Sequence, residues 1–199
     1  MKKSILLIVV ILIFVIGGMA CTETPQKWIE RGGKALFAKN HDEALKCYKR
    51  ALAIDPNSAR AHLYLGWVYQ IKGMVDEAIS ENKKAIGIAP NNKGFRNSLG
   101  SIYLKEGMLD EAISEFKKAI AIDPDYAAVH YKLGIAYGKK NQNTLAAHHL
   151  YEAGFLYISE GDNKAALKAY RGLEEIKAGE RAQDLYKIVA PWLNESREK

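Results

Sequence analysis

The sequence predicts an all-α fold, a solenoid of stacked antiparallel helix hairpins. The first observation behind this is a spacing of 34 residues. Gly32, Gly66, Gly100 and Gly134 fall on it, as do Ala44, Ala78, Ala112 and Ala146, and Pro56, Pro90 and Pro124. Self-similarity at such a period marks stacked repeats rather than one globular core. The second observation lies inside each period, where apolar residues recur at three- and four-residue steps in two successive runs, as amphipathic helices require. The third is the punctuation between the runs, glycine after the first and proline after the second. Such a chain builds a surface rather than a catalytic cavity, and surfaces bind partners.

The chain opens differently. Met1-Lys2-Lys3-Ser4 is short and positive, Ile5 to Ile16 is uninterrupted apolar, and Gly17-Gly18-Met19-Ala20 precedes Cys21. A positive start, an apolar stretch and small residues at a cut are the layout of an export signal, so residues 1–20 read as a signal peptide or membrane anchor. The stretch falls short of the roughly 20 residues of a membrane span unless the glycines and Ala20 are counted in. Small residues directly before a cysteine resemble the bacterial lipoprotein signal, which implies lipidation at Cys21. Gly18 departs from that pattern, which usually has an aliphatic residue there. An uncleaved anchor and cleavage after Ala20 to a soluble exported chain therefore remain open, and a buried apolar start would have no packing partner in the rest of the pattern. Thr22, by resemblance to enterobacterial sorting, favours the outer membrane.

With two cysteines, a disulfide framework and a four-cysteine zinc site are both excluded. Cys47, between Lys46 and Tyr48 in a helix pattern, reads as a small apolar residue. Loss of Lys2 and Lys3 with the leader would lower the formal charge from +6 to +4. Basic and acidic residues alternate along the chain, as on a solvated helical face. Attraction to anionic headgroups or peptidoglycan is a second reading of that charge, and no motif supports nucleic-acid binding.

The unit from Ala59 to Asn92 shows the plan most clearly. Leu63, Leu65, Gly66, Trp67, Tyr69 and Gln70 share one helix, ending near Lys72-Gly73. A second helix runs from about Val75 through Ala78, Ile79, Ala85 and Ile86 and stops before Pro90. Gly73 supplies the left-handed residue that closes the first, and proline cannot continue the second. Gly66 and Ala78 let the two helices approach closely, and Leu65 and Tyr69 fill the space left. The next unit repeats this with Leu99, Gly100, Tyr103, Gly107, Ala112, Phe116, Ala119 and Pro124.

These residues resemble the tetratricopeptide repeat: a helix with Leu-Gly and Tyr, then a helix with Ala, an aromatic, Ala and a closing Pro. Trp28, Gly32, Ala44, Tyr48, Ala51 and Pro56 fit the first unit, which has Arg31 and Ala35 where Leu and Tyr are expected. Leu133, Gly134, Tyr137, Ala146, Leu150 and Ala153 fit the fourth. Tyr69, Tyr103 and Tyr137 are the repeat tyrosines. The resemblance implies a right-handed superhelix over residues 25–180, as four repeats and a degenerate fifth.

Past Ala146 the frame breaks. Leu150, Gly154, Tyr157, Gly161, Ala166 and Tyr170 restate the internal spacing displaced by 20 residues instead of 34. This predicts one long helix over about 144–159, serving as second helix of the fourth hairpin and first of the fifth. A helix over 163–177 packs behind it. Residues 181–199 then read as a capping helix and polar tail, in which Trp192 is a candidate partner contact.

In this family's shape the first helices line a concave groove. Matching units place Ile29, Leu63, Asn97 and Tyr131 inward, with Gly33, Trp67, Ser101 and Ile135 one turn on and Leu36, Gln70 and Leu104 beyond. Leu63, Trp67, Gln70, Asn97 and Tyr131 are the candidate contacts, aromatics being the usual anchors of binding energy. Trp67 and Tyr131 also have a purely structural reading, as packing between adjacent first helices. The Lys-and-Asn clamp of one family subtype, which holds acidic C-terminal peptides, is not found at these places. A short helix or an extended apolar segment fits the groove better.

Catalysis finds no constellation. His62 and His130 are a full repeat multiple apart, and His148 and His149 are adjacent on a helix and point apart. No nucleophile elbow or phosphate-cradling loop is present. Neither a catalytic site, a metal nor a cofactor is expected. The expected function is a membrane-tethered scaffold that binds protein or peptide and serves assembly or regulation of a bacterial envelope complex, facing the periplasm. Family analogy offers outer-membrane protein insertion, pilus or secretin biogenesis, polysaccharide export and peptidoglycan machinery as settings. A structural envelope protein that self-associates through open repeat ends is the alternative.

Overall fold

The computed structural model describes residues 23–195, with side chains to residue 191. The expectations for residues 1–20, Cys21 and Trp192 lie outside what is described. Among the described residues there are ten helices. They pair as α1 (Pro25–Phe37) with α2 (His41–Ile54), α3 (Ala59–Ile71) with α4 (Val75–Ile88), α5 (Lys93–Lys105) with α6 (Leu109–Ile122) and α7 (Ala127–Lys139) with α8 (Asn143–Ser159). Helices α9 (Asn163–Glu175) and α10 (Glu180–Glu195) follow. Each helix packs on its sequence neighbours, and α3, α5 and α7 also touch in series, so the hairpins stack into the all-α solenoid that the period predicts.

The turns explain why each hairpin closes where it does. After the first helix of every hairpin one residue is left-handed: Lys39, Gly73, Gly107 and Asn141, and likewise Gly161 after α8. The next amide then reaches back five residues, as from Met74 N–H to the Tyr69 carbonyl at 2.9 Å and from Met108 to Tyr103 at 2.9 Å. That bond satisfies a helix-end carbonyl and reverses the chain in two residues. Acids at the start of the second helix in the first three hairpins, Asp42-Glu43, Asp76-Glu77 and Asp110-Glu111, complement the positive end of the helix dipole. Ser58 and Asn92 cap α3 and α5 through their side chains.

Close approach within the hairpins depends on the glycine column. A β-carbon on Gly32 would sit 2.6 Å from the Tyr48 ring, and one on Gly100 would sit 2.6 Å from the Phe116 ring. Gly66 faces Asn82 and Gly134 faces Leu150 in the same way. Ala44, Ala78, Ala112 and Ala146 are fully buried beside them, and Tyr69, Tyr103 and Tyr137 are buried on the first helices. Asn82 is the one polar member of the Tyr48, Asn82, Phe116, Leu150 column. It is fully buried, its amide nitrogen donates to the Ala78 carbonyl at 2.9 Å, and its Oδ1 has no partner.

Stacking of one hairpin on the next uses other columns. Ala61, Phe95 and Val129 are buried, as are Leu65, Leu99 and Leu133, and Val68, Ile102 and Ala136. One period earlier the same places hold Lys27, Arg31 and Lys34, all exposed on α1. The first hairpin thus turns a charged face outward where the others bury apolar side chains, as a terminal repeat requires.

At the other end α8 contacts α7, α9 and α10. Its Leu150 lies between Gly134 of α7 and Gly172 of α9. Gly154, which the 20-residue displacement equates with Gly134, faces Leu185 of α10 rather than a residue of α9. Leu185 and Val189 of α10 are fully buried in the C-terminal cluster with Leu150, Ala166 and Leu173. No described helix is long and apolar enough to cross a membrane.

Candidate functional site

A cleft of about 500 Å³ opens across α3, α5 and α7. Leu63, Trp67 and Gln70 reach it from α3, and Asn97 and Ser101 reach it from α5. These are places that matching of units puts inward. Tyr64, Ser98 and Lys132 also line it, as do Arg60 and Tyr126. Tyr64, Ser98 and Lys132 form a 34-spaced column beside Leu63, Asn97 and Tyr131, so the signal is present in the sequence one residue over. A concave stripe about 100° wide takes in both columns on a helix of 3.6 residues per turn.

Two of the places matched as inward lie elsewhere than the rest. Ile29 is 5% exposed and belongs to the core of the first two hairpins, in one buried cluster with Tyr48, Leu65 and Val68. Tyr131 is not brought into the cleft. It is half-buried against the C-terminal cluster with Ile135, Tyr151 and Tyr157, because α8 and α9 close over that end of the groove.

Polar groups in the cleft hold one another in place. Trp67 Nε1 donates to Ser98 Oγ at 3.1 Å across two hairpins, yet the indole remains 42% exposed. Its ring meets Tyr64 edge-on at 5.4 Å. Asn97 Nδ2 donates to the Tyr126 hydroxyl at 3.1 Å. Lys132 Nζ donates to Asn97 Oδ1 at 2.9 Å and Ser101 Oγ at 2.8 Å. Both acceptors are neutral, and among the described residues no carboxylate pairs with this ammonium. Burial holds the Lys132 amine below its usual range. Lys132 enters the cleft from the neighbouring column, outside the places that the Lys-and-Asn clamp would occupy.

Behind the groove, a second motif joins the second, third and fourth hairpins to the proline before each. His62 Nε2 donates to the Pro56 carbonyl at 3.0 Å and its Nδ1 meets Glu81 at 2.5 Å. One repeat on, Arg96 donates to the Pro90 carbonyl at 3.2 Å and to Glu115 at 3.1 Å. In the fourth hairpin His130 Nε2 donates to the Pro124 carbonyl at 2.9 Å, and its Nδ1 lies 3.2 Å from Nδ1 of His149. These side chains lock loops to helices. Among the described residues no group of three or more His, Cys, Asp or Glu is placed to hold a metal. Cys47 is buried, and burial pushes its thiol up.

Sequence profiles agree with this geometry. One described as TPR repeat matches residues 33–73 and 100–141, and one described as tetratricopeptide repeat matches residues 59–92. The chain belongs to the tetratricopeptide repeat (TPR) family. Its repeats form a non-catalytic scaffold for protein–protein interaction. Among solved structures, MamA is 25% identical, covering 74% of this chain and 94% of that one with a TM-score of 0.58. PilF of Pseudomonas aeruginosa is 23% identical over 84% of this chain and 75% of that one, with a TM-score of 0.71. YrrB, a TPR protein with an unusual peptide-binding site, is 20% identical over 87% of this chain and 97% of that one, with a TM-score of 0.56. No curated protein matches the chain.

Proposed function

We propose that this TPR protein is a membrane-tethered scaffold that captures a peptide segment of another cell-envelope protein in the α3–α5–α7 cleft, in service of assembly or regulation of an envelope complex. The observation that carries the proposal is the cleft itself, in which an exposed indole, a tyrosine and a leucine surround prepositioned amide, hydroxyl and ammonium groups. Concave apolar walls with a few convergent polar groups are the usual makeup of a binding site. The pairs Trp67–Ser98 and Asn97–Tyr126 fix rotamers before anything binds, which lowers the ordering cost of association. Lys132, facing neutral acceptors only, favours a segment that carries a carboxylate beside an apolar side chain. The peptide-binding site of YrrB is consistent with this use of the fold. The export-type leader and Cys21 support the tether and the envelope setting.

The test is affinity capture from crosslinked native membranes, with intact-mass analysis of the recovered chain. One envelope protein enriched by wild type and lost in Trp67→Ala, with a Cys21 N-terminus bearing acyl mass, is the expected result. Removing a central aromatic anchor costs about 2 kcal/mol or more, roughly 30-fold in affinity. Recovery of the chain alone would overturn the proposal and favour a self-associating structural protein. The charged outer face of α1 speaks against stacking of a second copy at that end.

A further inference from the structure

We infer that the N-terminal end of the solenoid is a docking face for an anionic lipid surface. Lys27, Arg31 and Lys34 stand at steps of four and three residues, so they form one stripe along α1. The stripe occupies the three columns that bury Ala61, Leu65 and Val68 in the second hairpin and their apolar counterparts in the third and fourth. A terminal repeat needs only a hydrophilic outer face there. Neutral or acidic side chains would serve, yet all three positions are cationic.

The surroundings extend the pattern. Trp28 lies between two guanidinium groups, Arg31 at 5.1 Å and Arg50 at 4.7 Å from its ring centre. Lys46 and Glu43 complete the same hollow. An indole among cations is the combination that settles at the boundary between water and acyl chains. The acids nearby answer only part of this charge. Glu23 and Glu43 approach Arg31 at 3.9 and 3.7 Å, and Glu30 accepts from Gln26. Among the described residues Lys27 and Lys34 have no carboxylate partner.

Chain length supplies the second argument, and it rests on the reading of residues 1–21 as a membrane tether. Cys21 precedes Pro25 by four residues and the apolar stretch ends at Ile16, nine residues before it. Even fully extended, those intervals span about 14 and 32 Å. A lipid at Cys21 holds α1 within about 14 Å of the bilayer, close to the roughly 10 Å over which basic side chains feel anionic headgroups, and an anchor ending at Ile16 leaves α1 free to reach that layer. With α1 on the membrane, the successive hairpins lead away from it, and the cleft of α3, α5 and α7 faces the aqueous space.

The experiment places the full chain in vesicles of phosphatidylcholine alone or mixed with phosphatidylglycerol and maps lysine reactivity by mass spectrometry. Lys27, Lys34 and Lys46 are expected to label about threefold or more slowly on the anionic vesicles, with protection lost in about 0.5 M salt. Lys105 and Lys164, exposed on later helices, are expected to label equally on both. The variant carrying Lys27→Gln, Arg31→Gln and Lys34→Gln changes only exposed side chains and is expected to abolish the protection of Lys46. Equal labelling on the two vesicles, or protection indifferent to salt, would overturn the inference. Pelleting with phosphatidylcholine vesicles in high salt reports the tether separately. A chain that pellets with unprotected lysines keeps the tether and loses the docking face. One that pellets only with anionic vesicles, its lysines protected, keeps the face and loses the tether.

Discussion

Asn82→Leu should stabilise the protein. The side chain is fully buried between α3 and α4, in a column otherwise occupied by Tyr48, Phe116 and Leu150. Leucine has nearly the outline of asparagine, and at the matching place Leu150 already packs against a glycine, Gly134. The change therefore opens no cavity. It removes an Oδ1 buried without a partner, which costs about 1–3 kcal/mol, and gives up one amide bond to the Ala78 carbonyl, worth about 0.5–1.5 kcal/mol. The Leu methyl groups contribute part of the 1.5–3 kcal/mol typical of a fully buried leucine, since Asn82 already fills the space; roughly 2 kcal/mol remains. At about 2–4 °C per kcal/mol for a chain of this size, Tm should rise by about 4–8 °C. Thermal melts followed by circular dichroism measure this, and hydrogen exchange in α3 and α4 localises it, because repeats exchange stability mainly with neighbours. Asn82→Asp, which buries a charge, should melt well below wild type. An unchanged or lowered Tm for Asn82→Leu would refute the reasoning, since it would mean the slot satisfies Oδ1 or rejects an apolar group.

Two substitutions of glycine by alanine should have opposite signs. Gly100→Ala puts a β-carbon 2.6 Å from the buried Phe116 ring and should cost about 1–3 kcal/mol. Gly87→Ala meets nothing within 4 Å on α4 and should gain about 0.5–1 kcal/mol, both read from denaturant midpoints. A third prediction concerns acid. Burial foremost, then His130, His148 and Lys117, hold His149 down at about 4, against the usual 6.5. The unfolded chain takes its proton near pH 6.5 while the folded one waits until about pH 4. Stability from this group is therefore complete above 6.5 and drains away as pH falls from 6.5 to 4. His149→Glu restores the pairing that Glu81 and Glu115 make in the preceding hairpins, so Tm should fall less between pH 7 and pH 5 than in wild type. An equal fall would count against the His130–His149 contact.

What was legible in the chain follows from what sets each feature. Hairpin boundaries are local, determined by the left-handed position near Gly73 and Gly107 and by Pro56, Pro90 and Pro124, so the 34-residue frame conveys them directly. The long helix predicted over about 144–159 was legible too, because Leu150, Gly154 and Tyr157 restate the first-helix spacing inside a second helix, but the partner of Gly154 was not, since it is Leu185 of α10 rather than a residue of α9. The groove was legible only in part. Which stripe of α3, α5 and α7 faces inward depends on how each hairpin is rotated on the last, and a period carries no rotation. Leu63, Trp67, Gln70 and Asn97 fell within the stripe, while Lys132 stood one column away. Tyr131 was withdrawn from it by α8 and α9, whose packing belongs to the broken frame. The orphaned Oδ1 of Asn82 and the His62–Glu81 pair are contacts between helices 19 or more residues apart or questions of satisfaction, which no spacing states.

The double duty of α8 bears on how such an array can change length. Between α1 and α7 every hairpin ends where the next begins, so copying or deleting 34 residues leaves matching surfaces on both sides of the join. Past residue 143 this freedom ends. Leu150 is held by Gly134 on one side and Gly172 on the other, and Gly154 lies against Leu185, so both flanks of one helix are already committed. A unit inserted after α8 would meet α9 and α10 where it needs a bare helix face, and removal of α8 would strip two hairpins at once. Lineages or engineered versions of this chain should therefore vary in repeat number ahead of α7, while the block from α7 to α10 is inherited as a single piece.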